Sequence, residues 1–286
     1  MERYLICFPQ GGINDMFSRI QTCIHYCISE KRILILDTGK NWFRDDWRAY
    51  FSIDIDLVYK GDTPEMITFL LSQDVYPLSF QHKTYQELTH AKWIKPGHME
   101  MNGICTSTSL RHSYPNQTVI YAECGSSVHI NPILHSISFT SMIKTEFQKR
   151  KSILPDEYIS IHIRNTDYQS DVEDFFTTHD EIFKSNPIFI ASDHASTIEA
   201  CKARYNQVYS FSTIPFLPDK TNIHESELSQ SLRNTKEEIR MFNMDAFIDF
   251  LLLAHGTHFF YSSKQSGFSR SISFLREDRV LVKRLV

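Results

Sequence analysis

The stretch Tyr158–Asp167 reads Y-I-S-I-H-I-R-N-T-D: an apolar run that ends in a dense polar cluster of His162, Arg164, Asn165, Thr166 and Asp167. Arg164 carries a permanent charge on a planar fork of donors, which suits a phosphate gripped by two hydrogen bonds. Two more polar clusters follow apolar runs in the same half of the chain. Ser192-Asp193-His194 follows Ile188–Ala191, and Ser262–Gly267 follows His258–Tyr261. The last cluster, S-S-K-Q-S-G-F-S-R, runs into a helical pattern, and small residues with open N–H groups at a helix start suit an anion. Asp193 only accepts hydrogen bonds, so it suits a base or ribose rather than a phosphate. If the three apolar runs are parallel strands, all three clusters emerge at one carboxyl edge, where ligands of α/β sheets bind. The joint reading is a nucleoside diphosphate held by the second half of the chain.

Simpler readings compete at each position. Arg164 can form a structural ion pair with Asp167 or Asp171. Asp193 can cap the helix that follows it, and Ser266 and Ser269 can be ordinary caps. His162 is open between a satisfied buried histidine and a catalytic one. Gly11-Gly12 lacks the full dinucleotide fingerprint and reads equally as a tight turn, which argues against a nucleotide oxidoreductase. Asp54-Ile55-Asp56 has the spacing of a metal-binding pair but lies outside the three clusters, and is read as an acidic strand end.

The elements that must position these groups follow from apolar spacing. Tyr4–Phe8 is a strand and Pro9–Gly12 a turn. From Asn14, a candidate N-cap, Met16, Phe17, Ile20, Cys23, Ile24, Cys27 and Ile28 recur at helical spacing. Ile33–Leu36 is a second strand ending at Asp37. This is a β-α-β unit of a parallel sheet. Thr63-Pro64 opens a helix through Leu71, Thr118–Glu123 is a strand, and Phe139–Arg150 a helix with Phe139, Met142, Ile143 and Phe147 on one face. The middle, Asn41–His112, is irregular. A polar break at Lys149–Lys151 and Pro155–Glu157 places a domain boundary after residue 150. The alternation then restarts: strand Tyr158–Ile163, helix Thr178–Lys184, strand Ile188–Ala191, helix Ala195–Tyr205, strand Val208–Phe211. Helix Lys236–Ala254, strand His258–Tyr261, helix Phe268–Leu275 and strand Val280–Val282 complete it. The expected class is α/β, with two Rossmann-like lobes, 1–150 and 151–286, carrying parallel sheets that face each other across a cleft.

Composition narrows the function classes. The 286 residues, 42% hydrophobic and 13% aromatic, support packed cores rather than disorder. A net charge of −4 gives no basis for a nucleic-acid or anionic-membrane partner. No apolar run nears the roughly 18–20 residues of a membrane span. The N-terminus lacks a signal-peptide pattern, and the six cysteines, Cys7, Cys23, Cys27, Cys105, Cys124 and Cys201, read as reduced thiols. The expectation is therefore a cytoplasmic protein.

His162–Asp167 resembles the H-x-R-x-T-D type motif of the GDP-fucose-dependent fucosyltransferase superfamily, which includes α1,6-, nodulation-type and protein O-fucosyltransferases. Gly11–Ile20 (G-G-I-N-D-M-F-S-R-I) is similar to the turn that opens their N-terminal lobe. Phe189–His194 and Asp249–Arg270 resemble their second and third donor-site segments. The resemblance implies a GT-B fold and an inverting, metal-independent sugar transfer from a nucleotide diphosphate to a glycan hydroxyl, with the first lobe on the acceptor side and the second on the donor side. It implies that Arg164 holds the donor β-phosphate and that Asp193 contacts the nucleobase. Ser263, Gln265, Ser266, Gly267 and Phe268 would lie over the diphosphate, while Gly12, Ile13 and Asn14 reach the site from the first lobe. No cofactor or metal is expected; backbone N–H groups and Arg164 would carry the leaving-group charge. Asp15, Asp37 and His162 are candidates for the base at the acceptor hydroxyl. Many relatives have a second arginine where this chain has Asn165, which leaves room for another donor, such as a UDP-linked sugar. A non-catalytic scaffold that binds a nucleotide or sugar is the rival from outside enzymology.

Overall fold

The structure is a computed structural model that describes residues 2–39, 43–95, 98–124, 132–165, 170–214 and 233–286. Thr166 and Asp167 of the first motif, and Asn41 and Trp42, lie outside the described residues. The chain divides into two compact units, Met1–Ile137 and Ser138–Val286.

The first unit opens with β1 (Tyr4–Gln10), α1 (Ile13–Glu30) and β2 (Ile33–Leu36). Met16, Phe17, Ile20, Cys23, Ile24 and Cys27 are the buried stripe of α1, as their spacing predicts. The helix starts one residue before the expected Asn14 cap. Gly11 has φ 89°, a conformation that favours glycine, and turns the chain so that extended Gly12 becomes the N-cap. Asn14 falls inside the first turn. Lys31 ends the helix in the left-handed region, with its N–H on the Cys27 carbonyl.

There follow β3 (Phe51–Ile53), α2 (Pro64–Leu71), β4 (Val75–Tyr76), β5 (Lys92–Lys95), β6 (His98–Met101), β7 (Ile104–Ser107) and β8 (Thr118–Cys124). The Thr63 hydroxyl accepts from Met66 N–H at 3.2 Å, so Thr63-Pro64 is the helix start its sequence indicates. Strands β2-β1-β8-β4 form a four-stranded parallel sheet. The irregular middle is in part an antiparallel sheet, β5-β6-β7. Its second hairpin turns at Asn102-Gly103, both at positive φ (52° and 78°). That dipeptide is the strongest short-range hairpin signal. Asp54 and Asp56 are exposed just after β3 ends, in keeping with an acidic strand end.

Between the sheets along the chain come β9 (Ile137–Phe139) and α3 (Ser141–Lys151). Phe139 therefore belongs to a strand, not to the helix: Ile137-Ser138-Phe139 alternates buried, exposed, buried. The helix itself belongs to the second unit, which moves the boundary ahead of residue 150. Its Phe147 ring lies 4.9 Å from His255, and Arg150 pairs with Asp245 at 2.5 Å.

The second unit continues with β10 (Ile159–Ile163), α4 (Val172–Thr178), α5 (Asp180–Ser185), β11 (Ile188–Ser192), α6 (Ala195–Arg204) and β12 (Val208–Tyr209). It ends with α7 (Lys236–His255), β13 (Phe259–Tyr261), α8 (Gly267–Glu277) and α9 (Arg279–Leu285). Strands β12-β11-β10-β13 form a second four-stranded parallel sheet. Every residue of β10 and β11 is buried, as expected of parallel strands covered on both faces. A capping box starts α7: Thr235 accepts from Glu238 N–H at 3.1 Å and Glu238 accepts from Thr235 N–H at 2.9 Å.

Three expectations fail locally. Thr178–Lys184 is two short helices that meet at His179, because Asp171 caps an earlier start through Asp174 N–H. Val208–Phe211 is a strand only to Tyr209. Val280–Val282 is helical: Asp278 caps it through Leu281 N–H at 2.8 Å, and Leu281, Val282 and Leu285 form its buried face. Valine-rich local sequence favours a strand, and this cap with one buried helical face overrides that preference.

Candidate functional site

Parallel register aligns the ends of three strands in the second unit. His162 pairs with Ala191 on one side and Tyr261 on the other, and Ile163 pairs with Ser192. Arg164, Asp193 and Ser262 are therefore brought together where β10, β11 and β13 end. The convergence expected from sequence is present.

Arg164 Nε lies 3.1 Å from Asp193 Oδ2, with the two side chains 20% and 9% exposed. Arg164 thus forms an ion pair with Asp193, a carboxylate the sequence reading did not name; of those it named, Asp167 lies outside the described residues. Asp171 instead caps α4. The other Asp193 oxygen accepts from Asn165 N–H at 2.8 Å. Asp193 is accordingly not the cap of α6; His194 stands at that position, with its own N–H on Ser192 Oγ at 3.2 Å. Ser192 Oγ donates to the Ile163 carbonyl at 2.8 Å and ties the two strand ends.

The backbone of Arg164 is held as well. Its N–H donates to Ser262 Oγ at 3.1 Å, and its carbonyl accepts from Ser170 Oγ at 2.7 Å. Asn165 reaches Thr197 Oγ1 with Nδ2 at 3.2 Å. Ser170, Thr197 and Ser262 are site residues that the sequence reading did not single out. Ser262 follows β13 within a motif already quoted, so strand register could have found it. Ser170 and Thr197 carried no signal.

His162 is buried, with Nδ1 2.7 Å from Ser269 Oγ and its ring 5.0 Å from Phe268. Burial, and then the Arg164 charge, push its pKa down to about 3. It is neutral near pH 7 and too weak a base to take a proton there, so its placement suits a hydrogen bond rather than general-base work. Ser266 caps α8 through Ser269 N–H at 3.3 Å, the ordinary cap foreseen for it. Ser263 Oγ accepts from Gln265 N–H at 3.3 Å, Lys264 and Gln265 are exposed, and Gly267 and Phe268 open the helix. This loop presents a helix start at the carboxyl edge of the sheet.

Asp249, on α7, was quoted only as the start of the third segment. Its Oδ2 accepts from Ser212 Oγ at 2.6 Å, while its Oδ1 is buried with no hydrogen-bond partner among the described residues. Burial pushes its pKa up to about 7. Between about pH 4 and 7 the unfolded chain ionises at this position while the folded one keeps its proton. Asp249 therefore contributes stability that is full below about pH 4 and lost as pH rises through 7, by at most about 1.4 kcal/mol per pH unit. Asp249→Asn should flatten that slope and raise Tm at pH 7.5. Melting curves of both proteins across pH 4–8 check it; parallel curves would refute the assignment.

In the first unit, Gly12 and Asn14 are partly exposed and Ile13 is buried. A Cβ at Gly12 would meet nothing within 4 Å. Asn14 Nδ2 lies 3.3 Å from Asp15 Oδ1, in the first turn of α1, where the helix dipole favours an acid. Asp37 ends β2: its N–H donates to the Cys7 carbonyl at 3.0 Å and its Oδ1 accepts from Gly39 N–H at 2.8 Å. Burial, with the neighbouring Asp37 charge, raises the pKa of Tyr85.

No family model matches the chain, and no curated protein does. Solved structures do. The chain is similar to the NodZ α-1,6-fucosyltransferase co-crystallised with GDP, with a TM-score of 0.62 at 14% identity over 96% of this chain and 93% of that one. It is similar to the fucosyltransferase NodZ from Bradyrhizobium, with a TM-score of 0.60 at 13% identity over 96% and 93%. A mutant of Arabidopsis thaliana FUT1 in complex with GDP gives a TM-score of 0.53 at 12% identity over 96% and 69%. Identities this low speak for architecture alone: the chain has the mixed α/β fold, with two parallel sheets, of solved fucosyltransferases.

Proposed function

We propose that the protein is a GT-B glycosyltransferase that moves fucose from GDP-fucose to a glycan hydroxyl, with inversion and without a metal. The observation that carries this reading is Arg164, held by Asp193 and by its own backbone where three parallel strands end. The similar structures support the donor: NodZ was co-crystallised with GDP and soaked with GDP-fucose.

The chemistry is a single displacement. The acceptor oxygen attacks the anomeric carbon opposite the diphosphate, and the bond from that carbon to the β-phosphate oxygen breaks. The leaving group gains negative charge, which Arg164 and the N–H groups at the start of α8 stabilise. The acceptor proton passes to a carboxylate or to the departing phosphate. Asp193 both orients Arg164 and, by its acceptor character, faces the nucleoside.

Thermal-shift binding with GDP, UDP, CDP, TDP and ADP tests the donor. Ligand at about 100 times Kd stabilises by roughly 2.7 kcal/mol. A response selective for GDP is expected. Selectivity for UDP would keep the transferase and change the donor, an outcome that Asn165, in place of a second arginine, keeps in view. Binding without transfer to any glycan would leave a scaffold. Fucosyl transfer is expected to persist in excess chelator; loss that Mn²⁺ or Mg²⁺ restores would overturn the metal-free mechanism.

A further inference from the structure

Asn165 stands beside the phosphate-binding arginine, and its side chain turns away from a direct ligand role. Nδ2 donates to Thr197 Oγ1 at 3.2 Å, in the first turn of α6, and Oδ1 accepts from Ser170 N–H at 3.4 Å. One amide thus bridges the helix after β11 and the far end of the loop after β10. Its own backbone N–H is held on Asp193 Oδ1 at 2.8 Å.

The consequences converge on Arg164. Asp193 accepts from Asn165 N–H with one oxygen and meets Arg164 Nε with the other, 3.1 Å away. The 164–165 peptide thus helps to hold the carboxylate against Arg164. Ser170 and Ser262 hydroxyls are 2.7 Å apart. With Ser170 donating to the Arg164 carbonyl, Ser262 donates to Ser170 and accepts from Arg164 N–H, so each hydroxyl hydrogen is used once. Ser170 owes its position in part to Asn165. Backbone N–H, backbone carbonyl and Nε of Arg164 are thus all tied to one network that Asn165 closes.

We infer that Asn165 is a positioning residue, whose side-chain amide ties Ser170 to Thr197 of α6 so that Arg164 is held ready for the terminal phosphate of a nucleoside diphosphate. A charge fixed in advance spends less freedom on binding. The chain thus forgoes a second cation at this position and instead secures the one it has. The inference rests on the donor-site reading above.

The test separates the two. Binding of GDP and GMP is measured by calorimetry for the unaltered protein, Asn165→Ala, Thr197→Val, Arg164→Ala and the Asn165→Ala/Arg164→Ala double variant. Thr197→Val breaks the same bond from its other end with little change of shape. Both single network variants should weaken GDP roughly five- to tenfold, the worth of one neutral hydrogen bond, and leave GMP unchanged, since GMP lacks the β-phosphate. In the Arg164→Ala background, Asn165→Ala should cost nothing more. Equal losses for GDP and GMP would mark Asn165 as merely structural and overturn the inference. So would an undiminished loss in the Arg164→Ala background. Unchanged GDP affinity in Asn165→Ala, beside a loss in Arg164→Ala, would sink the positioning role alone. Failure of the unaltered protein to prefer GDP over GMP would sink the donor-site reading itself.

Discussion

In Arg164→Ala, GDP should raise the melting temperature far less, and the unliganded protein should melt below the unaltered one. Two separate losses underlie this. A charge-assisted hydrogen bond to phosphate is worth about 1.5–3 kcal/mol, so GDP affinity falls on the order of 10- to 150-fold from that contact alone. The second loss is internal. Asp193 is 9% exposed and loses the guanidinium it faces. Stranding one partner of a fully buried pair costs about 3–5 kcal/mol, and the 20% exposure of Arg164 puts this pair below that range. Arg164→Lys restores charge without the planar fork, so it should recover stability in part and GDP affinity less. Calorimetry for affinity and thermal melts without ligand read the two losses independently. Wild-type GDP affinity in Arg164→Ala would remove Arg164 from the donor site, whatever the melts show.

How much of this site was legible in sequence depended on what carries each piece. β10, β11 and β13 are short apolar runs, each followed at once by polar residues. Their parallel pairing follows from the alternation with helices, so the meeting of Arg164, Asp193 and Ser262 could be anticipated. The pairing of Arg164 with Asp193 could not. Asp167 and Asp171 are near it in sequence, whereas Asp193 is adjacent only through register, and register is a tertiary fact. The bonds from Asn165 to Thr197 and Ser170 were invisible for the same reason: side-chain amides and hydroxyls have no periodicity. The protonation of His162 was open in sequence because it depends on desolvation, which only the packing of Phe268 and Ser269 reveals.

The fold divides similarly. Amphipathic α1 and the capping signals Thr63-Pro64 were readable because local chemistry and tertiary packing agree there. Where they disagree, the local reading failed. Val280-Leu281-Val282 looks like a strand by β-branching, but Asp278 caps it and buries one helical face. Phe139 matched the helical spacing of Ile143 and Phe147, yet it ends a strand two residues before α3 begins. The antiparallel β5-β6-β7 sheet was missed although Asn102-Gly103 announced a turn and His98–Met101 alternates polar and apolar residues, because the other two short strands, Lys92–Lys95 and Ile104–Ser107, show no such alternation.

The largest stability effect should arise in the first unit, at Arg32. Its side chain is fully buried. One Nη donates to the carbonyls of Tyr4 and Gln117 at 3.1 and 3.2 Å, and the other to those of Tyr114 and Asn116. These carbonyls belong to the entry into β8 and to the first residue of β1, while Arg32 itself immediately precedes β2. A single guanidinium therefore ties the amino-terminal ends of three neighbouring parallel strands, β2-β1-β8. Burial lowers its pKa, but a guanidinium is not deprotonated in proteins, so it is charged in the folded state. Arg32→Ala removes the donor to four carbonyls at once. A buried acceptor left unsatisfied costs about 1–3 kcal/mol, and partial relaxation and entering water keep the total below the sum. The expected loss is about 3–5 kcal/mol, a large fraction of the roughly 5–15 kcal/mol that stabilises a domain. Lysine should rescue little, because one ammonium cannot span both pairs of carbonyls. Urea melts followed by tryptophan fluorescence, to which Trp47 in the buried core of the same unit contributes, measure it. A midpoint within experimental error of the unaltered protein would mean that solvent or backbone shifts replace the guanidinium, and that the strand ends are held by the sheet alone.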